Sequence, residues 1–285
     1  LAVRLRGHRH CLCGVCAASH ATGYCQAIEK VAGIEIPPRA KFIRTIILEL
    51  ERLYNHIGDV GNVCIGASFL MCGSHGFRMR EHIQQLNETI CGNRYLRGMI
   101  TIGGVRFDIH DDLKKHILDL LDRVKTDFKE LVEIMFTSSS FLDRIETTGR
   151  LSLEHAKGLG VVGVPARASG ICRDTRRNHP YAAYSEIDFD IPVYHDEGDV
   201  YARVKVRVDE VYQSMSIIEQ CFNKMPEGSI KTSLKEFPPY KQALSYVESP
   251  RGEDIYWIMT APNNMLYRYK VRSPSFCNWP SIPFP

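Results

Sequence analysis

The stretch GIEIPPRAKFIRTIILELERLYNHIGDVG, residues 33–61, decides the fold. Ile43, Ile46, Ile47, Leu50, Leu53, Tyr54 and Ile57 return every three or four residues, which puts them on one stripe of a helix over residues 39–60. Arg44, Glu51, Arg52 and Asp59 fall mostly off that stripe. Ile36-Pro37-Pro38 breaks the chain ahead of it, and Pro38 suits the first turn of the new helix because a first-turn amide needs no partner. His56 lies at the edge of the stripe. It reads first as a hydrogen-bonded helix histidine, with a partner interface or a proton path as the alternative.

Helical patterns extend on both sides. Residues 17–32 form a helix carrying His20 and Glu29, with Gly33 as its stop. Met79, Ile83, Leu86 and Ile90 mark a second apolar stripe over 76–91, ended by Gly92. Residues 111–136 turn Leu113, Ile117, Leu120, Leu121, Val124, Phe128, Leu131 and Met135 inward and leave alternating charges for solvent. Short helices follow near 138–146 and 152–158, with Ser152 as a cap. Residues 199–225 repeat Val204, Val208, Val211, Met215, Ile218, Phe222 and Met225 as a packing seam.

Elsewhere the period changes. Gly103-Gly104 predicts a tight turn or a close backbone approach and lacks a dinucleotide fingerprint. Regular spacing is lost over 158–186, where Arg167, Arg173, Asp174, Arg176, Arg177 and His179 crowd together. This segment reads either as a charged surface loop or as one threading past a buried site. Ile187, Phe189, Ile191 and Val193 alternate and predict a short strand. The runs ALSYVE, DIYWIM and MLYRYKV, parted by turn residues, predict an antiparallel meander over 243–271. Arg251, in the Pro250-Arg251-Gly252 turn, reads on its own as solvent-exposed.

The expected class is therefore mainly α with a small antiparallel β meander (α+β). One domain spans 1–285: a helical core at 16–147, an irregular site loop at 158–186, a long helix at 199–225 and the meander. Of 285 residues, 44% are apolar and 24% charged, as in a globular protein. A net charge of +3, with no basic run interleaved with aromatics, argues against nucleic acid as a partner. Ten cysteines in so long a chain predict a reducing compartment, with most thiols acting as small buried hydrophobes. There is no run of 18 apolar residues and no signal peptide is read. Leu1 in place of Met, and an ending just past an apolar, proline-rich stretch, suggest a fragment.

Chemistry concentrates in HCLCGVCAASHATGYCQAIE, residues 10–29. Cys13 and Cys16 form a C-x-x-C whose glycine lets a turn aim both sulfurs at one soft metal ion. Cys11, Cys13, Cys16 and His20 number enough for zinc, although Cys11 and Cys13 are spaced poorly for it. A redox pair needs a preceding strand, and Arg4–His10 is a poor one. A c-type haem needs histidine where Ala17 stands. Nickel or iron suits the thiolates, given further ligands from far along the chain.

C-G-V-C-x-x-x-H with Glu29 after it resembles the amino-terminal cysteine motif of the nickel-iron hydrogenase large subunit. The likeness continues in order through residues 33–61, GGVRFDI, ARASGICRDTRRNHPY, VKVRVDEVY, SPRGEDIYW and SPSFCNWP, covering about residues 12–280. These motifs resemble the energy-converting branch, formate hydrogenlyase and hydrogenase-4, itself related to the 49-kDa chain of complex I. The resemblance implies the helical-bundle core of that family. It also implies an oxidoreductase that interconverts hydrogen with protons and electrons at a nickel-iron centre, whose iron carries carbon monoxide and cyanide. By the same resemblance Cys13 and Cys16 are metal ligands, one terminal on nickel and one bridging, and Arg251 overhangs the metals. His20, Glu29 and Arg167 support the cofactor. Implied partners are a small iron-sulfur subunit, ferredoxin-like subunits and antiporter-like membrane subunits. Together they place the chain at the cytoplasmic face of the cell membrane. Neither NAD nor flavin is expected.

The departures are informative. The family's second cysteine pair is expected beyond Pro280, and Cys277 does not match it. The family's upstream R-G-x-E glutamate is expected before Leu1, and Arg6-Gly7-His8-Arg9 is no substitute. With half of its thiolates missing, this chain alone is expected to lack hydrogenase activity. Two alternatives stand beside the hydrogenase: a complex I 49-kDa-like quinone-site subunit without nickel, and an inactive or zinc-binding homologue.

Overall fold

A computed structural model describes residues 16–195, 198–233 and 236–283. The chain is mainly α. Helices α1 (Ala17–Ala32), α2 (Pro38–Gly66) and α3 (Leu70–Cys91) lead into a two-residue hairpin, β1 (Ile100–Thr101) and β2 (Gly104–Val105). Then come α4 (Asp111–Thr137), α5 (Ser139–Ile145), α6 (Leu153–Gly158), α7 (Val164–Ala168), α8 (Thr175–Asn178) and α9 (Val200–Lys224). Strands β3 (Gln242–Ser249), β4 (Gly252–Ala261) and β5 (Met265–Arg272) form an antiparallel meander in that order, followed by α10 (Pro274–Asn278).

Helix α2 is the axis. It packs against α3 on one side and α9 on the other, while α4 closes against α3 and α9. Its apolar stripe is buried as the periodicity predicts. Most of its off-stripe charges are buried as well: Arg44, Glu49, Glu51, Arg52 and His56 have no exposed surface, while Asp59 is partly exposed. The α2–α3 turn is tight because glycines meet there. A Cβ on Gly76 would lie 2.8 Å from Gly61 Cα, and one on Gly73 3.0 Å from Gly61 O. Helix α1 lies between α2 and the sheet, packed on β3 and β4. Its C-terminal Gly33 adopts the left-handed conformation (φ 61°) expected of its stop signal.

The Gly103-Gly104 pair makes both the turn and the close approach. Both residues have positive φ, and a Cβ on Gly104 would sit 2.1 Å from Ile230 O. The exposed charges of α4 are solvated as expected. The strand predicted at 187–193 does not form. That segment runs along α9, where Gln213 and Gln220 side chains accept from the Asp190 and Asp188 amides, and Gln220 donates to Asp188 O. Side-chain amides serve the backbone there in place of a neighbouring strand. The described cysteines are all reduced, and five of the eight are buried. No helix among the described residues is long and apolar enough to cross a membrane.

Candidate active site

Cys16 precedes α1 and is buried with a reduced thiol. Cys11 and Cys13 lie outside the described residues. The first turn of α1 has amides with no intrahelical acceptor. Glu51, from the middle of α2, supplies one: its carboxylate accepts from Ala18 N at 2.7 Å, from Ser19 N at 2.9 Å and from the Ser19 hydroxyl. Burial pushes the Glu51 carboxyl up to about 7, against the opposing pull of those donors and of nearby His20.

One turn into α1, His20 turns its Nδ1 to the Tyr256 hydroxyl on β4, and Asp254 Oδ1 lies 3.7 Å from the same nitrogen. Gly23 makes this possible. A Cβ there would come within 2.5 Å of the Tyr256 ring. At the far end of α1, Glu29 binds Arg44 through both oxygens, at 2.6 and 3.0 Å, and accepts from Gly103 N at 2.7 Å. His20 and Glu29 thus fix α1 to β4, α2 and the β1–β2 turn.

Arg251 is half-buried and lines a cavity of about 470 Å³ with Asp59, Arg203, Arg207, Pro165 and Trp279. Its Nη2 is 3.6 Å from Asp59 Oδ1. The exposed-turn reading gives way because the turn presses on the 161–164 backbone: a Cβ on Gly163 would lie 2.4 Å from Arg251 O. Asn278 stitches the same place together, donating to Val162 O and Arg251 O and accepting from Val162 N.

Arg167 lies elsewhere, inside a buried ion network: the irregular segment buries Arg167, Asp174 and Arg176 and leaves Arg173, Arg177 and His179 exposed. The Arg167 guanidinium meets Glu210 at 2.5 Å, Glu248 at 3.0 Å and Asp174 at 3.6 Å. Arg176 pairs with Asp174 at 2.7 Å and Glu49 at 3.1 Å, and Arg52 with Glu49 and Glu210 at 3.3 Å each. Burial alone would lower the Arg167 pKa; Glu210, Glu248 and Asp174 outweigh it and hold the group cationic. Burial would raise Glu210, yet Arg167, His56 and Arg52 keep its carboxyl far below the usual range. His56 is the hydrogen-bonded histidine of the first reading, with Nε2 2.7 Å from Glu210, and burial lowers its pKa nonetheless. Among the described residues no group of three or more His, Cys, Asp or Glu is arranged to hold a metal. Glu51, Asp59, Gly163 and Asn278 escaped the sequence reading. Only Asp59 and Glu51 left a signal there, as acids off the α2 stripe.

The family model for the respiratory-chain NADH dehydrogenase 49 kDa subunit matches residues 65–241, more than half of the chain. The chain belongs to this family. A second model, for nickel-dependent hydrogenases, matches residues 8–58, which hold the cysteine pair, His20, Glu29 and Glu51. Relatives of the 49 kDa family chain include formate hydrogenlyase subunit 5 of Escherichia coli (strain K12), 35% identical over 95% of this chain and 48% of its own length. The carbon monoxide-induced hydrogenase of Rhodospirillum rubrum is 33% identical over 95% of this chain and 75% of its own. An NADH-quinone oxidoreductase subunit of Desulfotalea psychrophila is 37% identical over 92% and 71%. Hydrogenase-4 component G of Escherichia coli (strain K12) is covered over 46% of its length, so this chain spans about half of each of the two Escherichia coli proteins. Hydrogenase and NADH-quinone oxidoreductase are the names that these relatives carry.

Proposed function

We propose that the chain is part of the catalytic large subunit of a membrane-associated nickel-iron hydrogenase. One observation carries the reading: the hydrogenase family model matches the very residues that contain the intact C-x-x-C. The chemistry of the donors fits. Cys16 offers a buried, reduced thiol at a helix start, the soft ligand type that nickel and iron favour, and Cys13 stands three residues before it. Cys13 and Cys16 would hold the centre, which when bound supplies the site where hydrogen is split or formed. The remaining thiolates would come from elsewhere in the full-length protein.

The chain's own residues have separable tasks. Arg251 presents a planar cation to the cavity, suited to polarising a small molecule or steadying developing charge. Asp59 orients it. His20 and Glu29 lock α1, and with it Cys16, to the sheet and to α2. Arg167 supports the site from a distance by holding Glu210 and Glu248 in place. Electrons would pass to a small iron-sulfur subunit, ferredoxin-like subunits would follow, and antiporter-like subunits would hold the assembly at the cytoplasmic face of the membrane.

The test is metal content. The full-length protein, purified with its partners, is expected to hold nickel and iron in near-equal amounts, both lost in Cys16→Ser. One zinc and no nickel would overturn the reading in favour of a zinc-binding homologue. A second reading, a nickel-free quinone-site subunit, is favoured by the 49 kDa match over 65–241. Quinone-dependent activity in a nickel-free preparation would establish it.

A further inference from the structure

We infer that Glu51 is the positioning residue for the cysteine motif: its carboxylate, held by the first turn of α1, sets the seat of Cys16. This rests on the reading of Cys16 as a metal ligand, but the geometry beneath it does not. Cys16 sits one residue before α1, and Ala18 and Ser19 are the next polar anchors along the backbone. Both of their amides and the Ser19 hydroxyl end on one side chain from α2. Glu51 is itself fully buried. It belongs to a helix locked on three sides by α3, α9 and α1, so it is a stiff anchor.

A carboxylate here is an unusual choice. A buried carboxylate is costly, and a helix start can be satisfied more cheaply by a side chain of its own cap residue. The residue in the cap position is Cys16, whose sulfur is a weak acceptor. The acceptor for the Ala18 and Ser19 amides comes from another element. Glu51 supplies it. The same helix places Asp59 eight residues on, about 12 Å further along its axis, against Arg251. One rigid element thereby carries both the anchor of the cysteine end and the orienter of the arginine end.

The test reads Cys16 directly and needs no metal. The full-length chain, purified from nickel-depleted cells, is treated with iodoacetamide, and each cysteine is followed by peptide mass spectrometry. Glu51→Leu is expected to raise the Cys16 alkylation rate about tenfold or more, through loss of its amide anchors. Cys25 and Cys221, both fully buried, should stay protected. Glu51→Gln, which keeps one acceptor oxygen, should fall between wild type and Glu51→Leu. Unchanged Cys16 protection in Glu51→Leu would overturn the inference. So would equal exposure in the Gln and Leu variants, which would assign the effect to packing alone. Should Glu51→Leu expose every cysteine by unfolding, Ser19→Ala decides: a rise of about twofold or more at Cys16 alone supports the anchor, and no rise refutes it. A missing nickel centre in the parent protein would leave this outcome untouched, so the two readings fail separately.

Discussion

Asp59 and Arg251 face each other across 3.6 Å at the wall of the 470 Å³ cavity, one from the last third of α2, the other from the β3–β4 turn. Arg207 also reaches Asp59, at 3.4 Å, so the carboxylate is shared between two guanidinium groups. Arg251 is the more exposed of the two, and Asp59 is its ion-pair partner among the described residues. Of the two guanidinium groups on Asp59 it is the more available to a molecule entering the cavity.

On the proposed function, Arg251→Leu in the assembled full-length enzyme is expected to lower hydrogen uptake about 10²–10³-fold, the range seen when one pre-organised donor is removed from an active site. Arg251→Lys should recover only part of this, because an ammonium lacks the planar fork. Asp59→Asn should cost about tenfold, by loosening Arg251 without removing it. Dye-linked hydrogen uptake, normalised to nickel content, measures all three. Equal rates in Arg251→Leu and wild type at equal nickel would remove Arg251 from the site.

The ion network is a matter of stability. Arg167→Met leaves Glu210 and Glu248 buried without their main counter-charge and is expected to cost about 3–5 kcal/mol. Arg177→Met, exposed and outside the network, should stay within about 0.5 kcal/mol. Urea unfolding of the two variants side by side measures the difference. Similar midpoints would mean that water already screens the network.

That network also shows where sequence reading ran out. The apolar stripe of α2 was legible because it repeats within one turn of itself. Its polar face was not, because the partners that bury it come from far along the chain: Arg176 pairs with Glu49 from 127 residues away, and Glu210 with His56 from 154. Long-range charge pairing leaves no period. The helices, the meander and the Gly103-Gly104 approach were all readable from local spacing. The false strand at 187–193 had the right alternation but no strand to pair with. Arg251 looked exposed because nothing local says that Gly163 and Gly252 let two backbones touch.

Gly23 and Tyr256 should behave as a coupled pair. Gly23→Ala forces a methyl group to within 2.5 Å of the Tyr256 ring and is expected to destabilise by about 1–3 kcal/mol, the usual range for overpacking. Gly23→Ala with Tyr256→Leu should cost less than the sum of the single changes, since the smaller side chain makes room. Tyr256→Phe keeps the ring and gives no such relief. A double-mutant cycle in urea reads the coupling, and strict additivity would show that the ring moves aside freely.

Glu51 makes stability depend on pH in a defined window. An unfolded glutamate loses its proton near 4.5, the folded Glu51 only near 7. Between those values the folded chain binds more protons than the unfolded one, so stability falls as pH rises. At about 1.4 kcal/mol per pH unit, the loss approaches about 3 kcal/mol by neutral pH. Burial raises Glu248 as well, in the same direction, but that contribution is common to wild type and variant. The carboxyls of Glu49, Glu210 and Asp174 are held low instead, so their stability is lost only as pH falls through and below the ordinary carboxylate range. Glu51→Gln should therefore give a flatter stability curve than wild type between pH 4.5 and 7, with parallel curves at more acid pH. Urea midpoints at intervals across that range measure it. Parallel curves throughout would mean that Glu51 titrates as an ordinary glutamate and is ionised at neutral pH in the folded chain.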